Sequence, residues 1–392
     1  MEDSGIEQFR REVREFIRAN LPDEIRARVA QVHMDVPKED QRRWHRLLQS
    51  RGWGCPSWPE EYGGPGWTDL QHYVFDREIA LADAPWPMIY GTGMLGPTIM
   101  EYGSQQQKDE ILPRIQNADD FWCQGFSETG AGSDLASLKS EAVRQDDRYI
   151  VNGAKVWISE AHIADRMFGL FRTDASGKKQ HGITFLLVDM HADGVEVRPI
   201  HTYDGAGTEI NEVFFNDVVV PVSDRVGEEH QGWGITKYLL SLERFGTAEV
   251  SRSLSTLEKL KNFAHRHFVG TGRLIDDPDF ASRLGRVEIE LRALELTEYR
   301  MLFGKKPMGA EASLLKLNGT EVQNDILELF HDAIGDYSLA DTSDPETAGN
   351  LPRELPDAQY AARAHFNFRK TMIYAGSNEI QKNIMAKAVL GL

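Results

Sequence analysis

Residues 125–137 read Gly125-Phe126-Ser127-Glu128-Thr129-Gly130-Ala131-Gly132-Ser133-Asp134-Leu135-Ala136-Ser137. The small residues at 130–133 let backbone come close to a ligand. Successive backbone N–H groups in such a turn form a concavity for an anion. The same composition also serves a plain loop, so the stretch alone leaves both readings open. Its position is informative, because the chain changes character near residue 121. From there to about 220, β-branched and alternating apolar runs dominate. Tyr149-Ile150-Val151 precedes Asn152-Gly153, and Lys155-Val156-Trp157-Ile158-Ser159 follows, a pattern that predicts a hairpin turning at Asn-Gly. Ile183–Val188 reads as a buried strand, and 195–197, 213–215 and 218–220 complete a β-domain.

On either side the period is helical. Ile6, Phe9, Val13, Phe16, Ile17 and Leu21 form an amphipathic stripe that closes at Leu21-Pro22. Further helices are predicted around Trp44–Leu48, over 70–83 and over 105–116. Gly52–Pro59 and Tyr62–Gly66 read as loops. Tyr62-Gly63-Gly64 is taken as a structural turn. Helical spacing returns over 233–268, 279–303 and 311–334, and a polar loop runs from about Asp336 to Pro356. Ser377 or Asn378 caps a last helix whose buried stripe is Ile380, Ile384 and Ala388. The expected fold class is α+β, with a helical domain over 1–120, a β-domain over 121–228 and a helical domain over 229–392.

A chain of 392 residues has room for two to three domains and can bury its apolar surface without covalent staples. Cys55 and Cys123 stand far apart and suggest no disulfide framework or zinc pair, so both read as buried small hydrophobes or inert thiols. The 12 histidines show no metal-ligand spacing, and no metal is expected. Lys and Arg total 44 against 61 Asp and Glu, a net charge of −17. That balance argues against nucleic acid and against anionic membrane surfaces. The N-terminus lacks the apolar core of a secretory signal, and no run of 18 apolar residues exists. A cytoplasmic protein is expected.

The 125–137 stretch resembles the glycine-rich motif of the acyl-CoA dehydrogenase family. The resemblance extends, in order, through Asn152–Ser159, Gly227-Glu228 with Gly232-Trp233, Leu242-Glu243-Arg244, and Ile373-Tyr374-Ala375-Gly376-Ser377-Asn378-Glu379-Ile380-Gln381. It covers nearly the whole chain. It implies an N-terminal helical domain, a central β-barrel-like domain and a C-terminal four-helix bundle. The implied chemistry is α,β-dehydrogenation of an acyl-CoA thioester, with FAD taking the β-hydride at flavin N5 and a carboxylate removing the α-proton. By resemblance, Phe126, Ser127, Trp157, Ser159, Ser377 and Glu379 serve the cofactor. Ser133, Arg244, Tyr374 and Ala375 serve the substrate.

One position departs from the common pattern. Many members carry a glutamate between the tyrosine and glycine of the last block, where this chain has Ala375. Alanine takes no proton, although its backbone N–H can still donate to the thioester oxygen. The resemblance then points to Glu243, matching the helix position used by isovaleryl-CoA and long-chain acyl-CoA dehydrogenases. Leu239, Leu240, Leu242 and Phe245 surround it with apolar neighbours that would raise its basicity. The segments that help bind a neighbouring subunit's FAD also match poorly, at 267–273 and 330–337. Asp332 and Asp336 would sit unfavourably near a pyrophosphate. This asymmetry is similar to the base-bearing large subunit of bacterial heterotetrameric members acting on pimeloyl-CoA-like or steroid side-chain thioesters. A homo- or heterotetramer is expected, with electrons leaving through an electron-transferring flavoprotein. Two alternatives stand: a non-catalytic subunit that scaffolds a partner dehydrogenase, and a related flavoenzyme of the monooxygenase or nitroalkane oxidase type.

Overall fold

The computed structural model describes residues 2–31, 36–205, 208–246, 248–304, 310–339 and 357–391, without the side chains of 2–4, 31, 243–245 and 357–359. The chain runs helical, then β, then helical. In the first part, α1 (Glu2–Asn20), α2 (Asp23–Gln31), α3 (Lys38–Gln49) and α4 (Asp69–Leu81) surround a core containing Phe9, Val13, Ile17, Trp44, Leu48, Trp53 and Phe75. A capping box of Thr68 and Gln71 starts α4. The nine-residue α2 carries too short a stripe to be read from sequence. The same holds for the π-helical turn Tyr90–Leu95 and the following α5 (Gly96–Tyr102), where glycines interrupt the period. Gly96 is obligatory, because a Cβ there would lie 2.2 Å from the Trp58 ring. Helix α6 (Gln105–Gln116) begins at a Ser104–Gln107 capping box, and Gln107 reaches the carbonyls of Ser223 and Arg225 in the next domain.

The strands of the central sheet are β1 (Trp122–Gly125), β2 (Glu141–Gln145), β3 (Arg148–Ser159), β4 (Arg166–Arg172), β5 (Ile183–Asp189), β6 (Val195–Pro199), β7 (Ile210–Pro221) and β8 (Arg225–Val226). They pair in the order β6-β7-β3-β2-β4-β5-β8, with β1 parallel to β4. The sheet wraps round an interior of Cys123, Tyr149, Val151, Met167, Phe171, Leu186, Val213 and Val218, as in a barrel. Its hydrogen-bonded ladder nevertheless ends at β6 and β8. Alternate residues Phe168, Leu170, Phe185 and Leu187 face outward into a second core shared with Trp58, Leu95, Ile115 and Leu239. With both faces covered, β5 is buried continuously from Ile183 to Val188, and apolar but for Thr184. Cys55 and Cys123 are buried free thiols, and burial pushes each well above the ordinary thiol range.

The Asn-Gly hairpin is overturned. Strand β3 passes straight through Asn152-Gly153, and the chain turns at 146–147 instead. Asn152 exchanges hydrogen bonds with Asp217 at 3.0 and 2.9 Å. Gly153, at φ 141°, closes on Ser140, whose Oγ would lie 2.5 Å from an added Cβ. The pair marks a register shift against β7, a bulge rather than a turn.

In the last part, 233–268 resolves into α7 (Gly232–Gly246) and α8 (Val250–Arg266), with Glu249 in the left-handed region at φ 45°. Helices α8, α9 (Pro278–Leu302), α10 (Glu311–Ile334) and Asp357–Asn367 share a core that includes Leu257, Leu260, Leu291, Ile326, Phe330 and Tyr360. Residues 335–339 form a short 3-10 segment, and the rest of the predicted loop, 340–356, lies outside the described residues. Helix Asn378–Met385 starts at its Ser377 cap. Its expected stripe is not buried in the single chain: Ile380 and Ile384 are half-buried and Ala388 is exposed. The helix meets α10 chiefly through polar residues, with Asn378 and Gln381 buried instead.

Candidate active site

The loop after β1 is fastened from below. Phe126 buries its ring among Phe168 and Phe185, edge-on at 5.9 and 6.2 Å, so only its backbone is available to a ligand. The next carbonyl, of Ser127, accepts from Val156 N at 2.9 Å. Lys155 is fully buried and donates to the Glu128 carboxylate at 2.8 Å and the Leu170 carbonyl at 2.7 Å. Burial pulls the Lys155 ammonium down to about 8, even beside Glu128. Burial pushes the Glu128 carboxyl up, but Lys155 and the amides of Lys139 and Ser140 outweigh it and hold it below the usual range. Above this anchor the loop is open. Ser133 is exposed, and an added Cβ at Gly130 or Gly132 would meet nothing within 4 Å.

The second register shift of β3, between Lys155 and Ile158, sets the tryptophan. Lys155 and Val156 are both buried, and Trp157 then turns outward at φ 64° with 63% of its surface exposed. A left-handed tryptophan is strained, and strain of this kind collects at ligand sites. Ser127 and Ser159 lie nearby, each half-buried.

The segment Tyr374–Asn378 carries further candidate residues. Ala375 and Gly376 are successively left-handed, at φ 52° and 80°. Gln381 Nε2 donates to their carbonyls at 3.0 and 3.2 Å. Ser377 Oγ accepts from Ile380 N, and its hydroxyl also draws Glu379 below the usual carboxylate range. Asn378 Oδ1 accepts from the buried Lys316 at 2.9 Å and from Thr320 at 3.2 Å. Gly319, on that turn of α10, packs so closely on Ala248 that an added Cβ would sit 2.6 Å from the Ala248 carbonyl oxygen. One turn of α10 therefore touches both the 374–378 segment and the α7–α8 junction.

Position 243 lies on α7 just before that junction. Earlier on that helix Thr236 and Leu239 are buried, and Leu240 and Leu242 are half-buried. The side chains of Glu243, Arg244 and Phe245 are outside the described residues. Sequence reasoning missed Lys155, Glu128, Lys316 and Gln381 as organisers of the site. The available signal for both lysines was a charge within an apolar run, Ala154-Lys155-Val156 and Leu315-Lys316-Leu317. Among the described residues, no three His, Cys, Asp or Glu side chains gather as a metal site, and no helix is long and apolar enough to cross a membrane.

Comparison with known proteins agrees over the full length. The models for the acyl-CoA dehydrogenase N-terminal, middle and C-terminal domains match residues 4–119, 123–218 and 230–390. Acyl-CoA dehydrogenase IpdE1 of Mycobacterium tuberculosis is 34% identical over 396 residues, covering 99% of this chain and 98% of that protein. Acyl-CoA dehydrogenase FadE26 of the same organism is 33% identical, covering 98% and 96%. Among solved structures, the Tcur3481-Tcur3483 steroid ACAD superposes with a TM-score of 0.86 at 30% identity, covering 99% of this chain and 98% of that one. The ChsE4-ChsE5 complex from Mycobacterium tuberculosis gives 0.84 at 32%, covering 99% and 97%. With all three domain models matched in order, the chain belongs to the acyl-CoA dehydrogenase family and is an oxidoreductase of that type.

Proposed function

We propose that the protein is an FAD-dependent acyl-CoA dehydrogenase in which Glu243 removes the α-proton. The observation that carries this reading is the shared turn of α10, where Gly319 packs on Ala248 at the α7–α8 junction and Lys316 and Thr320 grip Asn378. The shared turn ties the α7–α8 junction to the segment whose Ala375 N–H would donate to the thioester oxygen, which supports pairing that donor with a base on α7. Arg244 and Tyr374 flank the acyl group, and Ser133 on the open loop faces the CoA portion.

The residues fit a flavin. Trp157 offers an uncovered indole face, Ser127, Ser159 and Ser377 offer hydroxyls, Glu379 offers a carboxylate, and the glycines at 130 and 132 leave the loop backbone approachable. The bound flavin supplies the hydride acceptor. The chain's own residues orient the substrate, exclude water and move the α-proton.

The assembly we infer is heteromeric, with electrons passing to an electron-transferring flavoprotein. The similar ChsE4-ChsE5 and Tcur3481-Tcur3483 structures each bear two chain names, and Ile373, Val389 and Leu390 stay about 70% exposed in the single chain. A bulky steroid-type thioester is the substrate class, after the steroid ACAD relative.

Glu243→Gln tests the assignment. The FAD-loaded variant is mixed with acyl-CoA and the flavin band is followed. We expect full FAD content and bleaching slowed by about 10²- to 10⁴-fold. Near-normal bleaching removes Glu243 from the base role.

A further inference from the structure

We propose that Glu209 is a positioning residue: it locks the flavin-side end of β3 to the segment that presents Ala375, and so fixes the separation of the two halves of the site. The inference rests on the dehydrogenase reading above and goes beyond it.

Glu209 stands just before β7 and is 2% exposed. Its backbone belongs to the flavin side. The Glu209 carbonyl accepts from Glu160 N at 2.8 Å, the neighbouring Ile210 pairs with Ser159, and Asn211 Nδ2 donates to the Ile158 carbonyl at 3.2 Å. Its side chain belongs to the other half. Oε2 accepts from Asn367 Nδ2 at 2.7 Å, and Oε1 accepts from Lys370 Nζ. Asn367 donates a second hydrogen bond to Asp204, which is also buried. The Lys370 carbonyl then receives the amides of Ile373 at 2.9 Å and Tyr374 at 3.0 Å. A continuous route of directional bonds therefore runs from Ile158–Glu160 through one buried carboxylate to Ile373 and Tyr374. At its far end the same segment is held by Lys316 and Thr320 through Asn378.

Pinned at both ends, the segment has a fixed height over the flavin strand. That height matters because a misplacement of about 1 Å between reacting groups can cost about 100-fold in rate. A charge-assisted bond to a buried carboxylate is suited to the task, being short and directional.

The test compares Glu209→Gln, Lys370→Met and Lys370→Arg with the wild type, each as FAD-loaded protein produced with any partner chain it needs. Hydrogen exchange is read at the 373–376 amides. Single-turnover flavin bleaching is read with octanoyl-CoA, pimeloyl-CoA and a steroid-carboxyl-CoA as probes. For Lys370→Met and Glu209→Gln we expect FAD content and KM near wild type, bleaching slowed about tenfold or more, and faster exchange at 373–376. Lys370→Arg restores most of both. A lower Tm with unchanged exchange and unchanged bleaching overturns the proposal and leaves Glu209 a plain structural residue. If none of the probes bleaches the wild type, the dehydrogenase reading falls separately, and exchange at 373–376 alone decides the lock.

Discussion

Gly319→Ala puts the shared turn of α10 under strain in a way that separates stability from geometry. The added methyl would lie 2.6 Å from the Ala248 oxygen, 2.7 Å from its Cα and 2.8 Å from its Cβ. Non-bonded contacts settle near about 3.5 Å, so α10 and the α7–α8 junction must part by about 0.8 Å. Two energies oppose each other. Alanine in a helix interior is favoured over glycine by about 1 kcal/mol, while overpacking a tight contact costs about 1–3 kcal/mol. The net loss is then up to about 2 kcal/mol, a modest fall in Tm. The displacement, however, acts on the spacing between the Glu243 helix and the Ala375 segment, where it is worth up to about 100-fold in the proton-transfer step. The assay pairs thermal unfolding with single-turnover flavin bleaching on FAD-loaded protein. Gly285→Ala on α9 is the control, since an added Cβ there meets nothing within 4 Å, and we expect its Tm to rise. Wild-type bleaching and an unchanged Tm for Gly319→Ala would refute the packing argument.

Other outcomes follow from the same geometry. Trp157→Asn removes a left-handed, 63% exposed tryptophan; flavin-free Tm should hold within about 1 kcal/mol of stability, while FAD dissociates faster, and an unchanged FAD off-rate contradicts the flavin placement. Lys155→Met strands the Glu128 carboxylate and should cost about 3–5 kcal/mol, with Glu128→Gln in the same chain recovering part of it; additive losses in denaturant titrations argue against the pair. Between α4 and α9, burial and then the Glu298 charge push Asp76 up to about 7, and burial pushes Glu298 up to about 7 despite Arg77. Both titrate near about 4 when unfolded, so the folded state holds more protons between about pH 4 and 7, and stability falls as pH rises through that window. Asp76→Asn should flatten the Tm–pH curve there, and an unaltered slope counts against the assignment.

The sequence was most legible where one period dominated. The limits of α6, α9 and α10 could be read to within a residue or two, as could the apolar run of β5. Asn152-Gly153 misled because a bulge and a turn ask the same of glycine, a backbone that other residues avoid, and only the contact with Ser140 tells them apart. The stripe of the last helix misled because periodicity announces an apolar face without saying whether the same chain covers it. The site motifs were visible in order, but the bonds that organise them are not local. Glu209 and Lys370 are 161 residues apart in sequence, and Lys316 and Asn378 are 62. No pattern within a window of one element contains such pairs.

The two irregularities of β3 have an evolutionary consequence. Along a regular strand the direction of each side chain is a matter of odd or even count. Between Val151 and Ile158 that count is interrupted twice, and the interruptions turn Trp157 outward with Lys155 and Val156 both inward. Losing or gaining one residue in this stretch inverts the parity of everything beyond it, sending an indole into packed interior and aliphatic carbon into water. Substitutions here can be graded, but insertions and deletions cannot. Length variation in relatives should therefore gather in exposed connections such as 175–181, and the distance from Lys155 to Trp157 should outlast the identity of most residues around it.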